Sequence, residues 1–135
     1  YRGCPTIEGK ILRRHGDRIQ RLGNGYFRAQ GRIDDSINLG GIKVSSTQIE
    51  ELINQLPFVL EAAAIAVPPS AGGPAQLVIC YVGNALVADD ALLQMQQVLR
   101  SQLNPLFKVS VCRQMDSLPR TASNKVMRRK LRELF

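Results

Sequence analysis

VLEAAAIAVPPSAGGPAQLVICYVG, residues 59–83, holds two short β-branched runs separated by Pro68-Pro69 and Gly72-Gly73-Pro74. Both runs have strand length, and proline and glycine pairs punctuate the chain between them, so the stretch predicts two strands joined by a loop. Its flanks follow a different period. On the N-terminal side Ile49, Leu52, Ile53 and Leu56 recur at i, i+3, i+4 and i+7, the spacing of one buried helical stripe. Ser45 with Gln48, or Thr47 with Glu50, offers a capping box, and Pro57 closes the helix. On the C-terminal side Asp89 or Asp90 caps a second helix, with Leu92, Met95, Leu99 and Leu103 inward and an end before Pro105. VSVCRQM, 109–115, supplies a third strand. A polar loop, 117–124, leads into KVMRRKLREL, 125–134, a short helix with Val126 or Met127, Leu131 and Leu134 inward. Strands and helices alternate, which predicts an α+β fold: a small three-stranded sheet flanked by helices.

The first third reads differently. LRRHGDRIQRLGNGYFRAQGR, 12–32, is polar and punctuated by glycine, and Gly23-Asn24-Gly25 is a turn signal between two strand-like runs. A short β-hairpin around 18–31 therefore precedes the α+β body. It is too small to fold alone and must pack on something else. In the whole chain of 135 residues there are no internal repeats and no low-complexity tracts.

An apolar fraction of 44% with mixed charges describes a globular protein and excludes a disordered one. No apolar run approaches the roughly 20 residues of a membrane span, and no signal-peptide core opens the sequence. Cys4, Cys80 and Cys112 are odd in number, widely spaced, and form no metal-ligand cluster with the single His15. Reduced thiols in a cytoplasmic protein, with no metal site, are the expectation. The net charge of +7 is uneven: basic residues crowd both ends, and between Lys43 and Arg100 there is no Lys or Arg. Basic ends on an apolar middle favour an anionic partner.

Three clusters could carry chemistry. In His15-Gly16-Asp17 a carboxylate beside a glycine suits a vicinal diol such as ribose; the plain alternative is a turn with Asp17 as a local acceptor. In GRIDDSINLGGIKVSS, 31–46, Arg32 can hold a phosphate or hydroxyl, and Gly40-Gly41 before Lys43 lets backbone approach a ligand beside a cation. The alternative there is a surface turn with a salt bridge. In LPRTASNKVMRRKL, 118–131, Lys125 ends an exposed loop and can reach a carboxylate or phosphate in a neighbouring site. Its alternative is a basic helix face with Arg128, Arg129 and Arg132, able to bind nucleic-acid phosphates or acidic protein surfaces. The basic end carries no aromatic except Phe135, so no platform for stacking single strands is visible, and nucleic acid is not the expected partner.

Taken in order, the clusters resemble the C-terminal portion of the AMP-forming acyl-activating synthetases: acyl-CoA and acetyl-CoA synthetases, adenylation domains and luciferases. Asp17 falls in a "GD" motif before a "GYF" hairpin. GRIDDSINLGGIKVSSTQIEELI, 31–53, is similar to the hinge motif GRxDDxIKxxGxRIxxxEIE, and LPRTASNKVMRRKLR, 118–132, to the closing motif LPxTxSGKxxRRxLR. The resemblance implies that residues 1–33 end a large N-terminal AMP-binding domain and that 34–135 form a mobile C-terminal domain. It implies ATP and CoA as substrates, with Mg2+ bound mainly through the N-terminal domain, and a carboxylic acid to be activated. By it, Asp17 binds the ribose hydroxyls, Arg32 the ribose or phosphate, and Lys43 stands near the nucleotide phosphate where arginine is common. Asp34 is the hinge, Gly40 and Gly41 line the pantetheine channel, Arg100 meets a CoA phosphate, and Lys125 bridges the carboxylate and α-phosphate.

Three positions depart from the family pattern: Asn124 stands for Gly before the lysine, Asn38 for Lys, and His15 for Thr. None removes a charge the mechanism requires, and asparagine tolerates a left-handed backbone. The variants lean towards acyl-CoA synthetases over peptide-synthetase domains. No phosphate-binding loop and no acyl pocket appear in these residues, so the chain is expected to be a fragment with little activity alone. A basic binding module without catalysis, or a regulatory homologue, are the competing expectations.

Overall fold

The computed structural model describes residues 6–11, 16–32, 36–84 and 88–135. The chain divides into two compact units, Tyr1–Asp35 and Ser36–Phe135.

In the first unit, β1 (Thr6–Ile7) and β2 (Lys10–Ile11) form a small antiparallel pair that the sequence did not announce. The expected hairpin is present as β3 (Asp17–Arg21) and β4 (Phe27–Arg32). Its turn is closed by Leu22 N–H donating to the Tyr26 carbonyl at 2.8 Å, with Gly25 at a φ of +82°. Asn24 Oδ1 accepts from Tyr26 N–H at 3.2 Å, the local side-chain bond that favours asparagine in turns.

The second unit opens with a hairpin where the sequence suggested a ligand-approach loop or a surface turn, not strands. β5 (Ser36–Leu39) and β6 (Ile42–Ser45) pair antiparallel across Gly40-Gly41. Those glycines have φ of +59° and +94°, so both central residues of a two-residue loop are left-handed, the geometry of a type I′ turn. Ile37 and Val44 lie directly opposite one another and are buried.

Helix α1 (Ser46–Ile53) follows at once. Of the two capping boxes, the fold uses Ser45 with Gln48: Thr47 N–H donates to Ser45 Oγ at 3.3 Å and Ser45 N–H to Gln48 Oε1 at 3.4 Å. Ile49 and Ile53 are wholly buried, while Leu52 and Leu56 pack at the edge of the stripe.

The sheet has the order β7–β8–β9. β7 (Val59–Val67) and β8 (Gln76–Gly83) are antiparallel; β9 (Val109–Gln114) joins β8 in parallel. A parallel pair needs a crossover, supplied by α2 (Ala88–Gln102). Asp89 and Asp90 lie inside its first turn, not at its cap. There they face the positive end of the helix dipole, which favours carboxylates as a cap would. The last helix, α3 (Arg128–Arg132), is shorter than expected. Val126 is not helical but pairs with Arg120 in an isolated bridge, and Leu134, expected inward, is 45% exposed.

Both faces of β7 and β8 are largely buried, which explains why these two strands read as mostly apolar runs. Ala62, Ala64, Leu77, Ile79 and Tyr81 face Ile49 and Ile53 of α1 and Met95 and Leu99 of α2. Phe58 meets Tyr81 edge-on, with ring centroids 5.8 Å apart. On the opposite face, Ala63, Ile65, Val78 and Cys80 pack with Leu118 and Leu131. Among the described residues no helix is long and apolar enough to cross a membrane, and no three His, Cys, Asp or Glu residues gather as metal ligands.

Burial pushes the Cys80 thiol from the ordinary 9.0 up to about 11, with Arg113 pulling weakly the other way. The unfolded chain therefore releases this proton at lower pH than the folded one. Stability from the neutral thiol is complete below about pH 9 and is lost as pH rises towards about 11. Urea midpoints across that window should fall more steeply for wild type than for Cys80→Ala, and iodoacetamide should label Cys80 only after unfolding.

Candidate functional site

The segment that carries Lys125 is anchored at its base and closed on itself. Leu118 is buried under the sheet, and from Pro119 the backbone turns back. Arg120 and Val126 form an antiparallel bridge, Thr121 N–H donates to the Lys125 carbonyl at 2.8 Å, and Met127 N–H to the Pro119 carbonyl at 2.7 Å. Inside the loop Asn124 N–H donates to the Thr121 carbonyl at 2.9 Å, and Lys125 N–H to Thr121 Oγ1 at 3.1 Å. Asn124 adopts a φ of +62°, the left-handed conformation expected of a residue standing in for glycine. Thr121 thus satisfies both backbone polar groups of Lys125. The side chain of Lys125 is exposed, and among the described residues nothing bonds its ammonium. A fixed backbone with a free cation on a four-carbon stem is suited to an anion outside the unit.

The basic residues around it are not an open face. Arg128 points inward, its Nη2 donating to both carboxylate oxygens of Glu50 at 2.8 and 2.9 Å, with side-chain exposures of 20% and 15%. Glu50 Oε1 also accepts the Ala64 N–H at 2.9 Å, so one carboxylate joins α1, β7 and α3. Arg120 pairs with Glu61 of β7. Arg129 and Glu133 form an exposed pair one helical turn apart. The sequence reading assigned Glu50 only a possible cap and Glu61 nothing. The available signal was a carboxylate set inside an otherwise apolar run, which demands a partner.

The other candidates lie on separate elements. In the first unit, the β3–β4 register sets Asp17 directly opposite Arg32, bringing two candidate nucleotide contacts to one end of a hairpin. In the second unit Gly40 and Gly41 make the β5–β6 turn, where Gly41 N–H donates to Asn38 Oδ1 at 3.0 Å, and exposed Lys43 lies across from Asn38. Gly40 borders a cleft of about 550 Å³ whose lining includes Gly72, Leu106, Lys108 and Ser110; Lys108 was not singled out from sequence. Arg100 stands in the last turn of α2, exposed, beside Gln96, Gln97 and Leu93. Asp34 and His15 lie outside the described residues.

A family model described as the AMP-binding enzyme C-terminal domain matches residues 48–125, from α1 to Lys125 itself. The chain belongs to this family. It is 51% identical to "Probable acyl-activating enzyme 17, peroxisomal" of Arabidopsis thaliana, covering 98% of this chain and 19% of that protein. It is 47% identical to hexanoyl-CoA synthase of Cannabis sativa, covering 100% of this chain and 20% of the relative. ATP-bound MatB from Rhodopseudomonas palustris superposes with a TM-score of 0.74 at 28% identity, over 89% of this chain and 24% of that one. The chain therefore spans about a fifth of the length of the curated relatives it matches. None of these similarities supports a stand-alone basic binding module.

The Glu50–Arg128 pair should be structural for this AMP-binding C-terminal domain. Glu50→Gln removes the carboxylate that accepts from both Arg128 and the Ala64 N–H in a mostly buried setting and should cost about 2–3 kcal/mol in urea unfolding. Glu133→Gln, in the exposed pair, should cost less than about 0.5 kcal/mol in the same assay.

Proposed function

We propose that this chain is the C-terminal part of an AMP-forming acyl-CoA synthetase. In the first half-reaction a carboxylate oxygen attacks the α-phosphorus of ATP, the α–β anhydride bond breaks, and pyrophosphate leaves. In the second the CoA thiol attacks the acyl carbonyl, loses its proton, and AMP leaves. The observation that carries this reading is Lys125: an exposed ammonium, unengaged among the described residues, on a loop in which its own backbone N–H and carbonyl are both bonded to Thr121.

The first step brings two anions together, so a cation placed between them lowers the barrier by neutralising both. Lys125 is that cation. Asp17 accepts from the ribose hydroxyls, which suits a carboxylate at the end of an exposed hairpin, with Arg32 opposite it for the ribose or phosphate. Lys43 lies near the nucleotide phosphate. Gly40 and Gly41 line the path of the pantetheine arm, where the absence of side chains lets a narrow substrate pass close to backbone, and Arg100 meets a CoA phosphate. Residues 1–33 belong to the large N-terminal AMP-binding domain, which supplies the acyl pocket and the Mg2+ that accompanies ATP. Residues 34–135 turn about Asp34 between the half-reactions. The names of the relatives, an acyl-activating enzyme and a hexanoyl-CoA synthase, support CoA as acceptor and a carboxylic acid as substrate. The reaction needs a compartment holding ATP and CoA. We place it in the cytoplasm, and the word peroxisomal belongs to the Arabidopsis relative.

In the full-length protein, Lys125→Ala should lower carboxylate-dependent ATP–pyrophosphate exchange on the order of 10²-fold, while thioester formation from supplied acyl-adenylate persists. A loss below about tenfold would remove Lys125 from the adenylation step. Scanning short, medium, long and aromatic acids in that assay identifies the substrate class. Asp34→Pro, which fixes φ at the hinge, should slow thioester formation selectively; equal slowing of both halves would argue against a hinge there.

A further inference from the structure

The loop that carries Lys125 has a second fastening, outside its own backbone. Arg120 Nη1 donates to the carbonyl of Asn124 at 2.8 Å, the peptide that leads directly into Lys125. The other arm of the same guanidinium, Nη2, is bonded to Glu61 Oε2. One planar fork therefore spans from the sheet to the tip of the loop. Both side chains are half-buried, at 34% exposure, where an ion pair is screened less than on an open surface.

Glu61 is well placed to act as a fixed post. Along β7 the odd-numbered Ala63 and Ile65 face Leu118 and Leu131, so strand alternation puts Glu61 on the loop's side of the sheet. Register is irregular between Val59 and Glu61, and Val59 joins the opposite core. At one end of that irregularity Val59 pairs with Gly83, where a Cβ would fall 1.9 Å from the Phe58 carbonyl oxygen. Backbone that sits this close to its neighbour admits no side chain, and Asn84 N–H donates to the Phe58 carbonyl at 3.0 Å, tying the chain just before β7 to the end of β8.

The geometry points to Glu61 and Arg120 as positioning residues for Lys125: the Glu61–Arg120 pair holds the Asn124–Lys125 peptide so that the lysine reaches its target from a set origin. The inference rests on the adenylation role of Lys125. Neither residue need touch substrate. Their contribution is to remove loop motion that would otherwise be arrested in the transition state, where misplacement of about 1 Å can cost on the order of 10²-fold.

The test uses the full-length protein with Arg120→Ala, Arg120→Lys, Glu61→Gln and, as reference, Lys125→Ala. We expect Arg120→Ala and Glu61→Gln to lower kcat for pyrophosphate exchange by about fivefold or more, within the range that misplacement produces. KM for ATP and thioester formation from supplied acyl-adenylate should stay unchanged. Arg120→Lys should not rescue, because a single nitrogen cannot bridge Glu61 and the Asn124 carbonyl as the fork does. Smaller losses in both variants, while Lys125→Ala abolishes exchange, would overturn the positioning role and leave the Lys125 reading standing. Equal losses in both half-reactions would reduce the pair to a fold-stabilising one, and a raised KM for ATP would make Arg120 a nucleotide ligand; either overturns the inference. Retained exchange in Lys125→Ala would overturn the Lys125 reading itself.

Discussion

A sheet whose central strand is apolar on both faces must be covered on both, and the second unit is organised around that requirement. The hydrophobic gain of burying such strands is realised only if each face finds a cover. The face bearing Leu77, Ile79 and Tyr81 is closed by two amphipathic helices, α1 and α2. The face bearing Ala63, Ile65, Val78 and Cys80 has only Leu118, Val126, Leu131 and their neighbours. The C-terminal segment is thus part of the core. A loop whose base is packed against a sheet cannot drift without exposing that face, so the demand for coverage also fixes where Lys125 begins.

The same segment is strongly basic, and charge has to be managed alongside burial. Arg128 enters a mostly buried site where Glu50 accepts from its guanidinium and also satisfies the Ala64 N–H. Arg120 is held by Glu61. The exposed Arg129–Glu133 pair is worth little by comparison. What separates these residues is the depth of their partners: two carboxylates on α1 and β7 take two arginines out of the basic run, and among the described residues Lys125 is left with its ammonium unclaimed.

Elements whose apolar pattern repeats cleanly were legible in the sequence: the three sheet strands, α1 with its Ser45 cap, α2, and the Asn24-Gly25 hairpin. The β5–β6 hairpin was missed although Ile37, Leu39, Ile42 and Val44 alternate with polar residues, because four-residue strands give too short a period and the glycine pair drew attention as a ligand contact. The end of the chain was over-read as helix. Met127, Leu131 and Leu134 satisfy helical spacing, but Val126 is β-branched and is claimed by the bridge to Arg120, leaving a single turn from Arg128. At the candidate site, Lys125 and the left-handed Asn124 were readable from local chemistry. Glu50 and Glu61 were not, since their partners lie 78 and 59 residues away, and no periodicity encodes a contact at that separation.

These contacts bear on how a domain can serve two reactions. The Gly40-Gly41 turn is a two-residue I′ loop, and the Lys125 loop is bonded through Thr121, Arg120 and Met127. Both are held by bonds within the unit, including both backbone polar groups of Lys125 itself. On the proposed two-step reaction, a unit built this way would change what it presents by moving whole and not by refolding its loops, because breaking the bonds around Lys125 would expose backbone groups and the core face beneath them. A rotation about Asp34 would then exchange one prepared surface for another. The stiffness of the Lys125 loop is what makes such an exchange economical: the entropy of fixing the lysine's backbone is settled when the domain folds and need not be met again at each turnover.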